Sequence, residues 1–298
     1  MGKKKVLFII NLFLIISLFH GCISQEIKEN HVSQIKIFYV DINGFENYTS
    51  IQDAINDASD NSTIHVSNGT YQEQIIIDKK IHLIGSDPKK TIIDADFTDD
   101  AIIIKADHTI IEKFTITHSG KIGYPYYNSA LYITSNDTTI KNNIITNNTN
   151  GIYTYRSSNN IFENNSILST TDYGLYIEVS SNNSIKNNKF SLNNYCLKIK
   201  NSINCTIIQN QFFNSIHGMY FCCGSKHNMV YHNTFVNNSK WHCDDQVGDN
   251  YWCNEIIKRG NYWDDYTGID QNGDGIGDSF YNISKIGKPD YYPLINKI

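Results

Sequence analysis

Arginine is almost missing from this chain: of 298 residues, only Arg156 and Arg259 carry a guanidinium. Bidentate phosphate recognition leans on that planar fork, and the formal net charge is -5, so no nucleic-acid partner is expected. Charged residues make up only 18% of the chain and prolines number four, while Asn, Ile, Ser and Thr fill the space that Lys and Glu take in an ordinary helical enzyme. That balance, rich in β-branched residues, points to a mostly β protein. The apolar fraction of 40%, with 12% aromatics, rules out wholesale disorder.

Long apolar runs are also scarce, and the clearest has the layout of an address. Lys3, Lys4 and Lys5 precede the run from Val6 to Phe19, which ends in His20-Gly21-Cys22. Such a run is short for a membrane span and reads as a signal peptide. Gly21 before Cys22 resembles a lipoprotein processing box, in which Cys22 becomes the lipidated first residue; the alternative is an ordinary signal sequence cleaved nearby. The expected organisation is a signal peptide over 1–21, a linker over 22–35, a repeat domain over 36–240 and a C-terminal cap over 241–298. An extracytoplasmic, cell-surface location follows, with membrane attachment through Cys22.

The repeat decides the fold. IKNNII from Ile140, FENNSI from Phe162, IKNNKF from Ile185, IIQNQF from Ile207 and VYHNTF from Val230 superpose without gaps, at offsets of 22, 23, 22 and 23. Their fourth position is always asparagine: Asn143, Asn165, Asn188, Asn210 and Asn233. Stacked in one column, each amide can bond the next and satisfy turn backbone groups. About ten residues later each unit carries a strand, and alternation sends Leu131, Ile133, Leu175, Ile177, Met219 and Phe221 inward. It sends Tyr132, Tyr153, Tyr155, Tyr176, Glu178, Lys198, Lys200 and Tyr220 outward.

A unit of about 22 residues is too short for a strand–helix pair but fits one coil of a solenoid. The Leu-x-x-Leu-x-Leu frame of leucine-rich repeats is absent. The fold class is therefore all-β: a single-stranded, right-handed parallel β-helix of about nine coils between Ile37 and Trp241. Ser50 reads as the N-cap of a short helix with Ile51, Ala54, Ile55 and Ala58 on one face, lidding the first coil. Trp241, Trp252 and Trp263 suit an aromatic plug at the other end.

Two stretches carry a family resemblance. The run from Ser50 to Asp87 resembles the opening of pectin-lyase-like β-helix proteins, and NYWDDYTGIDQNGDGIGD with the later DYYPL resembles their NosD-like archaeal branch. The resemblance implies a right-handed β-helix of the carbohydrate-binding and sugar-hydrolysis type, with polysaccharide bound along an outer sheet. It also implies a link to copper-site assembly in a periplasmic reductase.

Four candidate sites follow. The outward Tyr132, Tyr153, Tyr155, Tyr176 and Tyr220, with Glu178, Lys198 and Lys200, suit a polysaccharide or glycoprotein glycan, because aromatic faces stack on sugar rings. Glu178 beside Lys200 also reads as a cross-strand ion pair. The loop Asp270-Gln-Asn272-Gly-Asp274-Gly-Ile276-Gly-Asp278 spaces oxygen donors as in the first half of an EF-hand, so Ca²⁺ is expected on Asp270, Asn272, Asp274, the Ile276 carbonyl and Asp278, completed by Asp264, Asp265 or Asp290. Tyr281 replaces the closing Glu and excludes a full EF-hand. Among the crowded C-terminal cysteines, Cys243 with Cys253 is the first disulfide candidate, and copper on Cys222, Cys223, His227, His232 and His242 is the rival. The functional reading is an exported surface protein that binds glycan or serves a structural envelope role. A polysaccharide lyase or glycoside hydrolase, and a NosD-like accessory in copper-site maturation, are the alternatives, with no catalytic residue assigned.

Overall fold

The computed structural model describes residues 36–122, 128–284 and 286–297, all within the compact unit 35–298. The expected signal segment and Cys22 lie outside the described residues. Among those described, no helix is long and apolar enough to cross a membrane.

Among the described residues, three parallel sheets wrap one core. Sheet A has nine strands from Ile37–Val40 to Met229–Tyr231, sheet B nine from Gly69–Gln72 to Tyr262–Trp263, and sheet C eight from Ile75–Ile77 to Trp241–Asp245. Each coil visits A, B and C in turn, giving the right-handed parallel β-helix that the 22-residue period predicts. Register follows that period: Ile140 pairs with Phe162, Phe162 with Ile185, Ile185 with Ile207 and Ile207 with Val230. The solenoid runs past the expected boundary at 240, because Trp241–Asp245 still pairs with sheet C and Tyr262–Trp263 with sheet B.

The A-to-B corner turns on a single left-handed residue: Asn142, Asn164, Asn187, Gln209 and His232 have φ of 57°, 56°, 56°, 57° and 59°. Asparagine tolerates that conformation better than most residues, which explains its doubling in NN. The following asparagine turns inward and bonds the next coil. Asn143 N donates to Asn165 Oδ1, Asn165 N to Asn188 Oδ1, Asn188 N to Asn210 Oδ1 and Asn210 N to Asn233 Oδ1, all at 2.9–3.0 Å. Each amide Nδ2 donates in turn to a carbonyl of the preceding coil, as Asn188 does to Phe162 O at 2.8 Å. The buried corner is thereby satisfied without charge.

The ladder continues where the repeat stops. Asn233 N donates to Asn261 Oδ1 at 3.1 Å, and Asn261 N to Asp290 Oδ2 at 2.7 Å. A carboxylate accepts only, so Asp290 ends the chain of donors while also receiving Trp263 Nε1 at 3.0 Å and Tyr292 N at 3.0 Å. A second ladder, at the C-to-A corner, passes through Asn228 and Asn250 and ends on Asp245, which also takes Trp252 Nε1 at 3.3 Å. Two buried aspartates, each with an indole donor, close two ladders.

An aromatic stack runs through the interior. Phe190, Phe212, Phe235, Trp263 and Tyr281 lie ring on ring at 5.0, 4.9, 4.3 and 4.3 Å. Trp252 and Trp263 therefore do plug the last coil, at 0% and 1% exposure. Trp241 does not: it lies on the outside of sheet C, 4.6 Å from the His217 ring. At the other end the helix Ile51–Asp57 lids the first coil with Ile51, Ala54 and Ile55 buried, and Ser50 Oγ accepts from Asp53 N at 3.2 Å. Glu73 supplements this cap, accepting Ile51 N and Gln52 N at 2.9 Å each.

Candidate functional site

The outer face of sheet C gathers the expected tyrosines, but as a self-stacked row. Tyr132, Tyr153 and Tyr176 occupy one register position on adjacent strands, with centroids 5.3 and 5.0 Å apart and planes 14° and 23° from parallel. Tyr153 is 9% exposed and Tyr176 only 1%. The coil spacing, about 4.8 Å, is too small for a sugar ring to enter between them, so their ring faces are taken up by neighbouring coils. Lys198 holds the next position, its Nζ 4.5 and 4.7 Å from the Tyr173 and Tyr176 ring centroids and 3.0 Å from the Tyr173 hydroxyl. Tyr220 follows, its hydroxyl donating to Gln246 Oε1 at 2.9 Å.

Beside this row, Lys200 Nζ lies 2.8 Å from Glu178 Oε1, and the Tyr153 hydroxyl donates to Glu178 Oε2 at 2.8 Å. Burial works to raise the Glu178 carboxyl, but hydrogen bonds from Lys200, Tyr153 and Tyr176 outweigh it and hold the group below the usual range. The same bond raises Lys200. Glu178 and Lys200 form the cross-strand ion pair expected from their spacing. Tyr155 lies at the edge under the Arg156 guanidinium, 5.2 Å away.

A second aromatic row escaped the sequence reading. Tyr173, Tyr195, His217 and Trp241 follow one another along the same face with centroids 5.3, 4.1 and 4.6 Å apart, Tyr195 and His217 stacked and the outer two pairs tilted. The signal is present at offsets of 22, 22 and 24, three positions ahead of the outward Tyr176, Lys198 and Tyr220 in the three earlier coils, but a change of residue type hides it. A groove of about 610 Å³ at the corner between sheets B and C is lined by residues that precede this row in sequence, among them Asn194 before Tyr195 and Ile216 before His217. Thr171, Asn194, Ile216 and Ser239 line it, one from each of four successive coils. A second hollow of about 430 Å³ shares Thr171 and extends the line to Thr149 and Phe97. Four coil steps from Thr149 to Ser239 span about 19 Å.

The soft-metal set is not assembled. Cys222 and Cys223 lie at the end of a sheet C strand, His227 in the following turn, His232 on the left-handed A-to-B corner, and His242 second in the sheet C strand of the next coil. Among the described residues, the one group of three or more His, Cys, Asp or Glu side chains with ligand atoms within 4.8 Å of one another is His242, Asp264 and Asp265. It ends a third ladder: Ser215 N donates to Asn238 Oδ1 at 3.3 Å, and Asn238 Nδ2 faces both Phe212 O and His242 Nδ1 at 3.1 Å. Those bonds fix the amide, so His242 Nδ1 accepts and the ring proton is assigned to Nε2, 2.7 Å from Asp264 Oδ1. A metal needs a lone pair at that atom. Two carboxylates also suit hard ions better than soft copper. The cluster does not fit a resident copper centre.

The acidic loop curls as its glycines predict, with Gly273 and Gly275 at φ 73° and 82°. Its oxygens turn to the loop's own amides: Asp270 Oδ1 accepts Gly273 N at 2.8 Å, Asn272 Oδ1 accepts Asp274 N at 3.0 Å, and Asp278 Oδ2 accepts Gln271 N at 2.8 Å. The expected completing ligands are engaged elsewhere, Asp264 and Asp265 with His242 and Asp290 in the ladder. Cys243 and Cys253 are free thiols. Cys243 lines the core opposite Met219, and Cys253 is buried in the bend after Trp252.

Residues 25–268 match the family described as periplasmic copper-binding protein (NosD). The chain belongs to the NosD family. Within it, the chain is 39% identical over 85 residues to the probable ABC transporter binding protein NosD of Stutzerimonas stutzeri, and 35% identical over 85 residues to that of Pseudomonas aeruginosa. These alignments cover 28% of this chain and 19% of each relative, so the chain matches about a fifth of the relatives' length. Among solved structures, carrot pectin methylesterase aligns with 68% of this chain and 83% of its own at 14% identity and a TM-score of 0.43. An Aspergillus niger pectin methylesterase aligns with 70% and 87% at 13% identity and a TM-score of 0.39.

Proposed function

We propose that this NosD-family protein is an extracytoplasmic β-helix that holds an extended glycan along the B–C corner groove, flanked by the Tyr173–Trp241 aromatic row. One observation carries the reading: Thr149, Thr171, Asn194, Ile216 and Ser239 repeat at one position per coil, so the groove offers similar contacts at a spacing close to one sugar residue. Hydroxyl and amide groups suit sugar hydroxyls, and the partly buried Trp241, two positions beyond Ser239, offers a ring near the end of the groove. Lipidation at Cys22 would tether this surface to the envelope.

Retention on insoluble polysaccharides tests the reading. Trp241→Ala is expected to weaken retention about tenfold while thermal stability stays near that of the parent, from the usual worth of one aromatic contact. Equal retention of parent and variant on every polysaccharide removes the glycan reading and leaves the structural envelope role. Release of reducing or unsaturated sugar ends would instead mark a lyase or hydrolase.

A role in copper-site maturation is the second reading, supported by the family's description alone. Titration calorimetry addresses both metals. Ca²⁺ is expected to bind at the Asp270–Asp278 loop and to lose its heat in Asp270→Ala, while copper is expected to show no stoichiometric site at His242. Heat from copper that disappears in His242→Ala would reverse that assignment.

A further inference from the structure

We propose that Cys222 and Cys223 are a redox-active vicinal dithiol that closes into a disulfide by exchange with a small-molecule disulfide. Neighbours on an extended strand point to opposite faces and cannot meet. Here the strand His217–Cys222 ends and Cys223 turns left-handed, at φ 59°, before Gly224 at φ 89°. Ser225 N closes the turn on Cys222 O at 3.2 Å. The reversal brings the two Sγ atoms to 3.0 Å, about 1 Å longer than a disulfide bond.

The two thiols differ in a way that divides the work. Cys223 is exposed and Cys222 only 5% exposed. Cys222 pairs with Lys200 across sheet C. Burial pushes the Cys222 thiol up to about 12, while Lys198 and Lys200 pull it down. The other four described thiols are walled in: burial raises Cys196 to about 12, Cys205 and Cys253 to about 11, and Cys243 well above its ordinary range. Thiol chemistry in the folded protein therefore starts at Cys223.

The exchange balances in two steps. The Cys223 thiolate attacks one sulfur of the oxidant, forming a mixed disulfide and expelling the first small thiolate. Cys222, losing its proton, attacks Cys223 Sγ; the protein disulfide forms, the mixed disulfide breaks, and the second small thiolate leaves. Two protein thiols are oxidised, one external disulfide is reduced to two thiols, and the two protons pass to the leaving thiolates or solvent.

The test uses the full chain, reduced, freed of reductant and incubated with oxidised glutathione, then alkylated and mapped by peptide mass spectrometry. The peptide holding Cys222 and Cys223 is expected to lose both alkylation sites and two hydrogen atoms, while Cys196, Cys205, Cys243 and Cys253 become alkylatable only on denaturation. In Cys222→Ser, glutathione is expected to stay on Cys223 at least tenfold longer than in the parent. Persistence of both thiols overturns the proposal. So does a lasting glutathione adduct on the parent's Cys223, or pairing of either cysteine with a second chain.

Discussion

Asp290→Ala is expected to destabilise the protein by about 3–5 kcal/mol, the usual result of removing one side of a buried, charge-assisted network. Asp290 is 0% exposed, and its carboxylate receives Asn261 N, Asn261 Nδ2, Trp263 Nε1 and Tyr292 N. Alanine leaves Asn261 N, Trp263 Nε1 and Tyr292 N without this acceptor at the point where the long asparagine ladder ends, while Asn261 Nδ2 keeps the Val230 and Trp252 carbonyls. Thermal unfolding should show a fall of roughly 10 °C for a chain of this size. A change below about 1 kcal/mol would mean that the last coil is not held by this carboxylate.

The same residue carries a pH signature. Burial pushes Asp290 up to about 6, outweighing the donors that favour its charged form. A carboxyl raised in the folded state stabilises by retaining a proton that the unfolded chain has released. Its contribution is full below the ordinary value of 3.8 and is lost as pH rises through about 6. Asp290→Asn, which does not titrate, should flatten the stability profile across that window. An unchanged profile would assign the pH dependence to other groups.

Asn188→Asp should be at least as damaging, about 3–5 kcal/mol, although it changes one atom. In the parent, Asn188 Oδ1 accepts Asn165 N and Nδ2, while its own Nδ2 donates to Phe162 O, Lys186 O and Asn210 Oδ1. Aspartate keeps the acceptor and loses the donor. It places a carboxylate oxygen against two carbonyls and an amide oxygen in a corner that is 0% exposed. Chemical denaturation of the pair Asn188→Asp and Asn188→Ala separates charge burial from simple loss of bonds. Near-parental stability in both would refute the ladder as a source of cohesion.

The ladder shows how far the amino-acid sequence reaches. A parallel solenoid converts a linear period into a spatial column, because each coil lies over the one before with the same residue at the same corner. The 22- and 23-residue offsets therefore reveal that Asn143 through Asn233 touch, and the doubled asparagine reveals the left-handed corner. The same period places the tyrosines outward and pairs Glu178 with Lys200.

It fails wherever the period ends. Asp290 and Asp245 belong to no repeat, and nothing in their neighbours marks them as the acceptors that finish two ladders. His242 reads as a metal ligand by composition, whereas the amide of Asn238 decides which ring nitrogen keeps the proton. Trp241 reads as a plug and lies outside, because a sheet C strand continues one coil further than the motif. Cys243 and Cys253 look like a loop-closing pair, whereas both are free thiols in the structure, and it is a reversed turn that brings Cys222 and Cys223 together.

Scarcity of arginine and charge, with the recurring asparagine, by itself determined a stacked β-helix, its register and the inner and outer faces of its strands. Those properties depend on neighbours one period apart, which a sequence displays directly. Only the tertiary structure decided which outer rings remain accessible, where the ladders terminate and which sulfurs meet. Each of those depends on packing between coils and on the irregular C-terminal segment, where the distance between two side chains is no longer a multiple of the repeat.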